Sequence, residues 1–340
     1  MASQSETILI TGAGGFIGQA LAKALANLPT TKKLILTDIT TPSSPASSSE
    51  NQSAEVETLA LDLTSPDSAS RIITSDLTTI YILHGLMSGA SEANLELSLK
   101  VNVDSIRLLL DTIRTTLKSS TKVIFPSSLA VYGPPDPSSP TTRETTMPLP
   151  NSSYGAQKLM TETLLRDFTR KGAIDARIVR LPTVTVRPGT PTGAASSFAS
   201  SIFREPLFGK NAVLPVSRSM KLWVCSPRTV IRNLVLAKDI PKEKFGENSK
   251  IVVNLPGITV SVDEMMAALM RVGGEEAVKL VKEEKDDGIE KIVGSWPYQF
   301  DTTYAESMGF VGDGSMEKAL WDFIADYGEE SEKVKTGAAR

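Results

Sequence analysis

With 340 residues, 41% of them hydrophobic and 22% charged, the chain can fill the core of one large domain or two smaller ones. A net charge of -3 without any lysine- or arginine-rich tract disfavours nucleic acid and anionic membranes as partners, leaving small-molecule chemistry as the favoured class. A single cysteine, Cys225, excludes an internal disulfide framework; no signal peptide and no apolar run of the roughly 18 residues of a membrane span is seen, so a cytosolic protein is expected.

The first predicted element is TILIT (Thr7–Thr11), a short apolar run rich in β-branched residues. It leads through the glycines of TGAGGFIG into QALAKALANL, whose alanine and leucine spacing is helical. A turn that tight needs Gly12, Gly15 and Gly18. Backbone N–H groups at the start of the helix, around Phe16 and Ile17, then suit a pyrophosphate. The second strand, KLILTD (Lys33–Asp38), ends on an acid 20 residues after Gly18. Asp38 can accept from the adenosine ribose hydroxyls and would repel a 2′-phosphate, so NAD is expected rather than NADP; the other reading of Asp38 is a strand-end turn residue. The segment 39–54, rich in serine and proline, reads as a solvated insertion.

VETLALDL (Val56–Leu63) is the third strand, and Asp62 with Leu63 at its end is expected near the adenine; a helix cap for SPDSASRI is the alternative for Asp62. TIYILHG (Thr79–Gly85) is the fourth, placing Leu83 and Gly85 at the cofactor edge. The only histidine, His84, also lies there, where a lone histidine is more often structural than catalytic. A helix over VNVDSIRLLLDTIRTTL precedes the fifth strand, KVIFPSS (Lys122–Ser128). A further helix starts near Tyr154, followed by ARIVRLP (Ala176–Pro182) as the sixth strand. Strands of near-continuous apolar character alternating with helices predict a parallel sheet covered on both faces, an α/β doubly wound Rossmann fold. Beyond Pro182 the texture changes to TVTVRPGTPTGAASS, and RTVIRNLVLA (Arg228–Ala237) with KIVVNLP (Lys250–Pro256) returns to the sheet. The expected division is therefore residues 1–182 plus about 221–256 for the nucleotide-binding domain. A smaller, discontinuous C-terminal substrate lobe takes 183–220 and 257–328, with a tail over 329–340.

Tyr154 and Lys158, in NSSYGAQKLM, lie one helical turn apart on one face. A tyrosine is a poor base at neutral pH, and a neighbouring ammonium favours its phenolate. Ser127 and Ser128 end the fifth strand at the same sheet edge, where a serine hydroxyl can stabilise charge on a reacting oxygen.

Together, TGAGGFIG, DL after the third strand, Val101–Asn102, SSLAVYG and YGAQK resemble, in order, the motifs of the extended short-chain dehydrogenase/reductases, the group that includes nucleotide-sugar epimerases and dehydratases. The resemblance implies Tyr154 as catalytic acid/base, Lys158 binding the nicotinamide ribose and lowering the tyrosine pKa, and Ser128 as the substrate-orienting serine. It also implies that Asn102 holds the local backbone and a relay water, and that two subunits pair through two helices each. Ser127 and Pro182 join the expected cofactor contacts. Where nucleotide-sugar members continue with Arg–apolar–Phe–Asn and Val-Tyr-Gly-Pro, this chain has RLPTVTVRPG, which counts against a nucleotide sugar.

The stretches RLPTVTVRPGTPTGAASSFASSIFREPLFG, LWVCSPR and SGASEANLELSLKVNVD are similar to D-erythronate dehydrogenases, which implies a small sugar-acid substrate oxidised at C2. An arginine fork suits its carboxylate, and Arg187 follows the sixth strand at the right place. Ser88 and Gly89 are candidates for a hydroxyl and an N–H toward the substrate, with ordinary turn residues as the alternative. Arg204, Trp223 and Arg228 are weaker candidates. No metal is expected. The rivals to a sugar-acid dehydrogenase are a nucleotide-sugar epimerase or dehydratase, and a dinucleotide-binding sensor or scaffold without chemistry.

Overall fold

A computed structural model describes residues 5–45, 54–117, 120–190, 194–245 and 251–337, with side chains through 328. The centre of the serine- and proline-rich insertion, 46–53, and the last three residues of the expected tail lie outside the described residues.

The amino-terminal half begins with β1 (Glu6–Thr11), α1 (Phe16–Ala26), β2 (Thr31–Asp38), β3 (Glu55–Ala60) and β4 (Thr79–Ile82). It continues with α2 (Ser88–Ala93), α3 (Ser105–Thr116), β5 (Lys122–Ser128), α4 (Ser153–Arg170) and β6 (Asp175–Leu181). After it come β7 (Thr183–Val184), α5 (Phe198–Leu207), β8 (Ala212–Leu214), β9 (Lys221–Cys225), α6 (Pro227–Asp239) and β10 (Val252–Asn254). The chain then forms β11 (Ile258–Ser261), α7 (Val262–Lys279), β12 (Val281–Glu283), α8 (Asp287–Gly294) and α9 (Met316–Gly337).

Seven strands form one parallel sheet in the order β10-β6-β5-β4-β1-β2-β3. The order reverses at β1 and β4, so a crevice opens at their carboxyl ends, where ligands bind such sheets. Alternation along each strand supplies the two faces. Ile8, Ile10, Leu34, Leu36 and Val179 pack under α1 and α6. Leu9, Ile35, Ile80, Val123, Phe125 and Ile178 pack under α3 and α4.

The third and fourth strands stop earlier than their apolar runs suggest, at Ala60 and Ile82. Asp62 accepts from the Thr64 N–H at 2.9 Å and turns the chain away from the ladder, which is the physical reason for the shorter third strand. β9 pairs with β7 and β11 in a separate three-stranded sheet instead of joining the large one. That small sheet, α5 and α7 enclose a second apolar core around Ile202, Phe203, Val224, Met265 and Leu269. Among the described residues, no helix is long and apolar enough to cross a membrane.

Candidate active site

At the head of β1 the chain turns with Gly12 at φ +69°. A Cβ on Gly12 would sit 2.4 Å from the His84 backbone nitrogen, and one on Gly18 would lie 2.5 Å from the Gly12 carbonyl oxygen. Neither position tolerates a side chain. With Gly15 at the N-cap of α1, no side chain competes for the N–H groups of the first turn, which leaves an anion-binding helix end. Asp38, at the end of β2, accepts from the Gly14 N–H at 2.9 Å and from the Ile39 N–H at 2.7 Å, so its carboxylate sits against the glycine loop. The chain thus presents a close-approach cradle and an acid beside it, a combination that fits a dinucleotide.

Asp62 takes the role of a turn residue. One of its carboxylate oxygens accepts from both the N–H and the hydroxyl of Thr64, which also holds its pKa below the ordinary carboxylate value. His84 is bracketed by the Thr11 hydroxyl at 2.7 Å and the Ser105 hydroxyl at 2.9 Å. Burial first, and the Lys158 charge second, push its pKa down to about 4, so it is a neutral structural imidazole.

Helix α4 begins at Ser152, whose hydroxyl accepts from the Gly155 N–H, and this cap fixes Tyr154 in the first turn. Tyr154 and Ser128 come together there, and hydrogen bonding from Ser128 lowers the phenol's pKa. Burial outweighs it and pushes Tyr154 up to about 12, against the Arg187 charge, which pulls it down more than Ser128 does. The Lys158 ammonium lies 5.7 Å from the Tyr154 ring centroid and donates to the Pro126 carbonyl at 2.9 Å. Burial brings Lys158 down to about 8, and nearby Glu162 opposes that. The Arg187 charge and the Ser128 hydroxyl are thus the groups that draw the Tyr154 pKa down, with Lys158 beside the ring in the place the family resemblance expects.

Two buried networks hold this helix. Asn102, in a π-helical turn over Lys100–Asp104, accepts from the Leu86 N–H at 2.7 Å and donates to the Leu86 carbonyl at 3.1 Å and to Gln157 at 2.7 Å. It clamps the loop after β4, as the resemblance implied for the backbone. Farther along α4, Glu162 accepts from Nε and Nη2 of Arg180, at 2.9 and 2.6 Å, and from the Ser127 hydroxyl at 2.5 Å. The Ser127 hydroxyl is thus bonded to this buried ion pair, while the residue also lines the cavity where a cofactor contact was expected of it.

The cavity, of about 170 Å³, is walled by Phe16, Ile17 and Leu83 on the glycine-loop side and by Ser128, Tyr154 and Lys158 beside them. Ser88, Pro182 and Arg187 complete the expected contributors, while Met87, Ser196 and Trp296 join them without having been anticipated. Ser196 lies within the stretch RLPTVTVRPGTPTGAASSFASSIFREPLFG but had no signal of its own there, and no motif marks Trp296; folding brings both to the cavity. Gly89 does not line the cavity, and the Ser88 hydroxyl accepts from the Ala195 N–H at 3.0 Å. Gly85 lies against the Asn102 carboxamide, and Leu63 is buried in the sheet core.

Arg187 has a buried Nη2 without a hydrogen-bond partner, and burial with the neighbouring Arg204 charge lowers its pKa. Arg204 donates to the Arg187 carbonyl at 2.8 Å and pairs with Glu205 at 2.6 Å, so it positions the segment that carries Arg187. Trp223 stacks on Phe300 at 5.1 Å, and Arg228 forms surface ion pairs with Asp322 and Asp326; both are structural. No cluster of metal-ligating side chains occurs among the described residues.

A profile of the NAD dependent epimerase/dehydratase family matches residues 8–241. The chain is 38% identical over 330 residues to a D-erythronate dehydrogenase of Cupriavidus necator, covering 94% of this chain and 98% of that protein. It is 39% identical over 321 residues to a D-erythronate dehydrogenase of Haemophilus influenzae, covering 93% and 98%. Among solved structures, one described as a nucleoside-diphosphate-sugar epimerase from Agrobacterium tumefaciens superposes with a TM-score of 0.87 at 34% identity, over 95% of this chain and 94% of that one. An L-threonine 3-dehydrogenase from Trypanosoma brucei gives 0.80 at 25% identity, over 94% and 96%. The glycine cradle, the Ser128, Tyr154 and Lys158 group and these full-length similarities have one account: the chain belongs to the NAD dependent epimerase/dehydratase family.

Proposed function

We propose that the protein is an NAD-dependent dehydrogenase that oxidises the C2 hydroxyl of a small sugar acid, D-erythronate, to a 2-oxo acid. The observation that carries this reading is Arg187: an arginine with a buried, unspent N–H donor lines the same small cavity as Tyr154 and Ser128. A guanidinium fork there grips a carboxylate while the adjacent carbon's hydroxyl meets the tyrosine. The two D-erythronate dehydrogenases above, similar over nearly their full lengths, support the substrate.

NAD would be held by the glycine loop, the first turn of α1, Asp38 and the sheet-edge residues Leu83 and Pro182, with Lys158 toward the nicotinamide ribose. When bound, it supplies the acceptor for the hydride from C2. Tyr154, as phenolate, takes the proton of the C2 hydroxyl, and the Ser128 hydroxyl donates to the same oxygen. Arg187 holds the carboxylate and its charge favours the phenolate. Because burial holds Tyr154 high, alcohol oxidation quickens as pH rises.

The name of the Agrobacterium structure favours a second reading, a nucleotide-sugar epimerase or dehydratase using the same tyrosine. Against it stands the RLPTVTVRPG segment, which replaces the Phe–Asn and Val-Tyr-Gly-Pro of nucleotide-sugar members. A scaffold without chemistry has no use for the intact Ser128, Tyr154 and Lys158. We also read the second apolar core, with β9 included, as the substrate lobe, and the assembly as a homodimer. The test is a panel of three- to six-carbon aldonates with NAD or NADP. NADH appearing with D-erythronate supports the proposal; no reduction of NAD by any of them, or UDP-sugar turnover without net NADH, overturns it.

A further inference from the structure

The sequence contains three tryptophans, and their indole N–H groups have different fates. Trp321 is 55% exposed, so water reaches its side chain. The Trp223 N–H donates to the Leu255 carbonyl at 3.4 Å. Trp296 is only 8% exposed, lines the cavity, and its N–H has no partner. A buried donor left unpaired is costly, and one that persists at a ligand site calls for an oxygen that arrives with the ligand.

Several other polar groups on the wall already have work, while Ser196 brings only a freely rotating hydroxyl beside the indole. Ser128 and Tyr154 address the reacting oxygen, Arg187 the carboxylate, and Lys158 is bonded to the Pro126 carbonyl. The Ser88 oxygen accepts from Ala195. A four-carbon sugar acid brings two more hydroxyls, on C3 and C4, that must give up water on entering this cavity. Trp296 reaches the wall from the second lobe, just after α8, which packs against the turn Ala195–Ser197 that carries Ser196.

We propose that Trp296 is a specificity residue, its indole N–H donating to a substrate hydroxyl beyond C2. The inference rests on the sugar-acid reading above. It explains how the site tells a polyhydroxylated acid from a plain 2-hydroxy acid of equal length, since a donor left unpaired penalises the ligand lacking its acceptor.

The test compares D-erythronate with 2-hydroxybutyrate of the same C2 configuration, which lacks both further hydroxyls, in the native enzyme and in Trp296→Phe. The substitution keeps an aromatic ring in the apolar cluster and removes the donor. The expected result is a fall of about tenfold or more in the kcat/KM preference for D-erythronate, carried mainly by KM. In parallel, the Trp296 indole ¹⁵N–H resonance, identified by its loss in Trp296→Phe, should move when D-erythronate is added to the enzyme with NADH. That resonance decides the matter where 2-hydroxybutyrate turns over too slowly to measure. An equal loss on both acids, or a resonance unmoved by saturating D-erythronate in an enzyme that oxidises it, overturns the inference while leaving the dehydrogenase reading intact. If the native enzyme reduces no NAD with any aldonate, the sugar-acid reading itself fails, and the inference falls with it.

Discussion

Tyr154 sits under opposing forces: burial raises its pKa to about 12, while Arg187 and Ser128 pull it down. On the proposed function one arginine has two duties, gripping the carboxylate and favouring the phenolate. Arg187→Gln is expected to raise KM for the acid about 10- to 100-fold, the scale of a lost charged hydrogen bond. It should also displace the rise of kcat/KM with pH to higher pH, because removing the cation raises the tyrosine pKa. A pH profile of the variant checks this, and a larger KM with an unmoved profile would separate the two duties. Lys158 makes the reverse trade. Its folded pKa, about 8, lies below the ordinary 10.5 of lysine, so between those values the unfolded chain binds more protons and stability rises with pH. Below about pH 8 the charged lysine carries its full burial penalty. Lys158→Met should therefore be inactive yet more stable at neutral pH by about 2–3 kcal/mol, an advantage that fades as pH climbs from 8 toward 10.5. Denaturant melts at pH 7 and pH 10 measure it.

At the scale of elements, α4 is the carrier of the site. Its buried face presents Lys158, Thr161, Glu162 and Leu165 at helical spacing, so the helix that delivers the chemistry is pinned by the Glu162 and Arg180 ion pair to β6. Both partners are 5% exposed or less at the side chain, and leaving Arg180 without its counter-charge costs about 3–5 kcal/mol. Glu162→Gln should lose that much in urea unfolding; a loss below about 1 kcal/mol would show that the network does not anchor the helix. The tyrosine and lysine were legible in the sequence because they lie one turn apart on a single helix. The ion pair was not, since Glu162 and Arg180 belong to different elements and meet only after β6 docks. Ser127 and Ser128 show a signal left unused: neighbours on a strand point to opposite faces, so both could not serve the site equally. The π-helical turn at Asn102 lies inside a stretch whose periodicity reads as continuous helix.

For the whole molecule, the doubly wound sheet was legible because each strand is an apolar run punctuated by glycine, proline or an acid, and alternation with helices implies parallel pairing, whereas the strand order is set by long-range pairing. The second lobe was less so, since its strands are two to five residues long and pair across large sequence separations. That is why Trp296 was missed, while Arg187, tied to a recognisable strand end, was found; Ser196, in the same stretch as Arg187, had no feature to single it out from its neighbouring serine. The proposed dimer has a surface to test. Leu95, Leu97 and Met160 are 56%, 46% and 46% exposed on α4 and on the short helix Leu95–Leu99 packed against it. Leu97→Asp with Met160→Asp should halve the mass seen by light scattering; an unchanged mass places the contact elsewhere. The proposed chemistry turns on Tyr154 removing a proton from a 2-hydroxy acid as hydride leaves C2. The most direct measurement is the yield of NADH and of trapped 2-oxo acid from D-erythronate, in the native enzyme and in Tyr154→Phe. One NADH is expected for each 2-oxo acid in the native enzyme, with a rate lower by about 100-fold or more in the variant. NADH formed at the native rate without the phenol, or no NADH from D-erythronate at all, would contradict this chemistry.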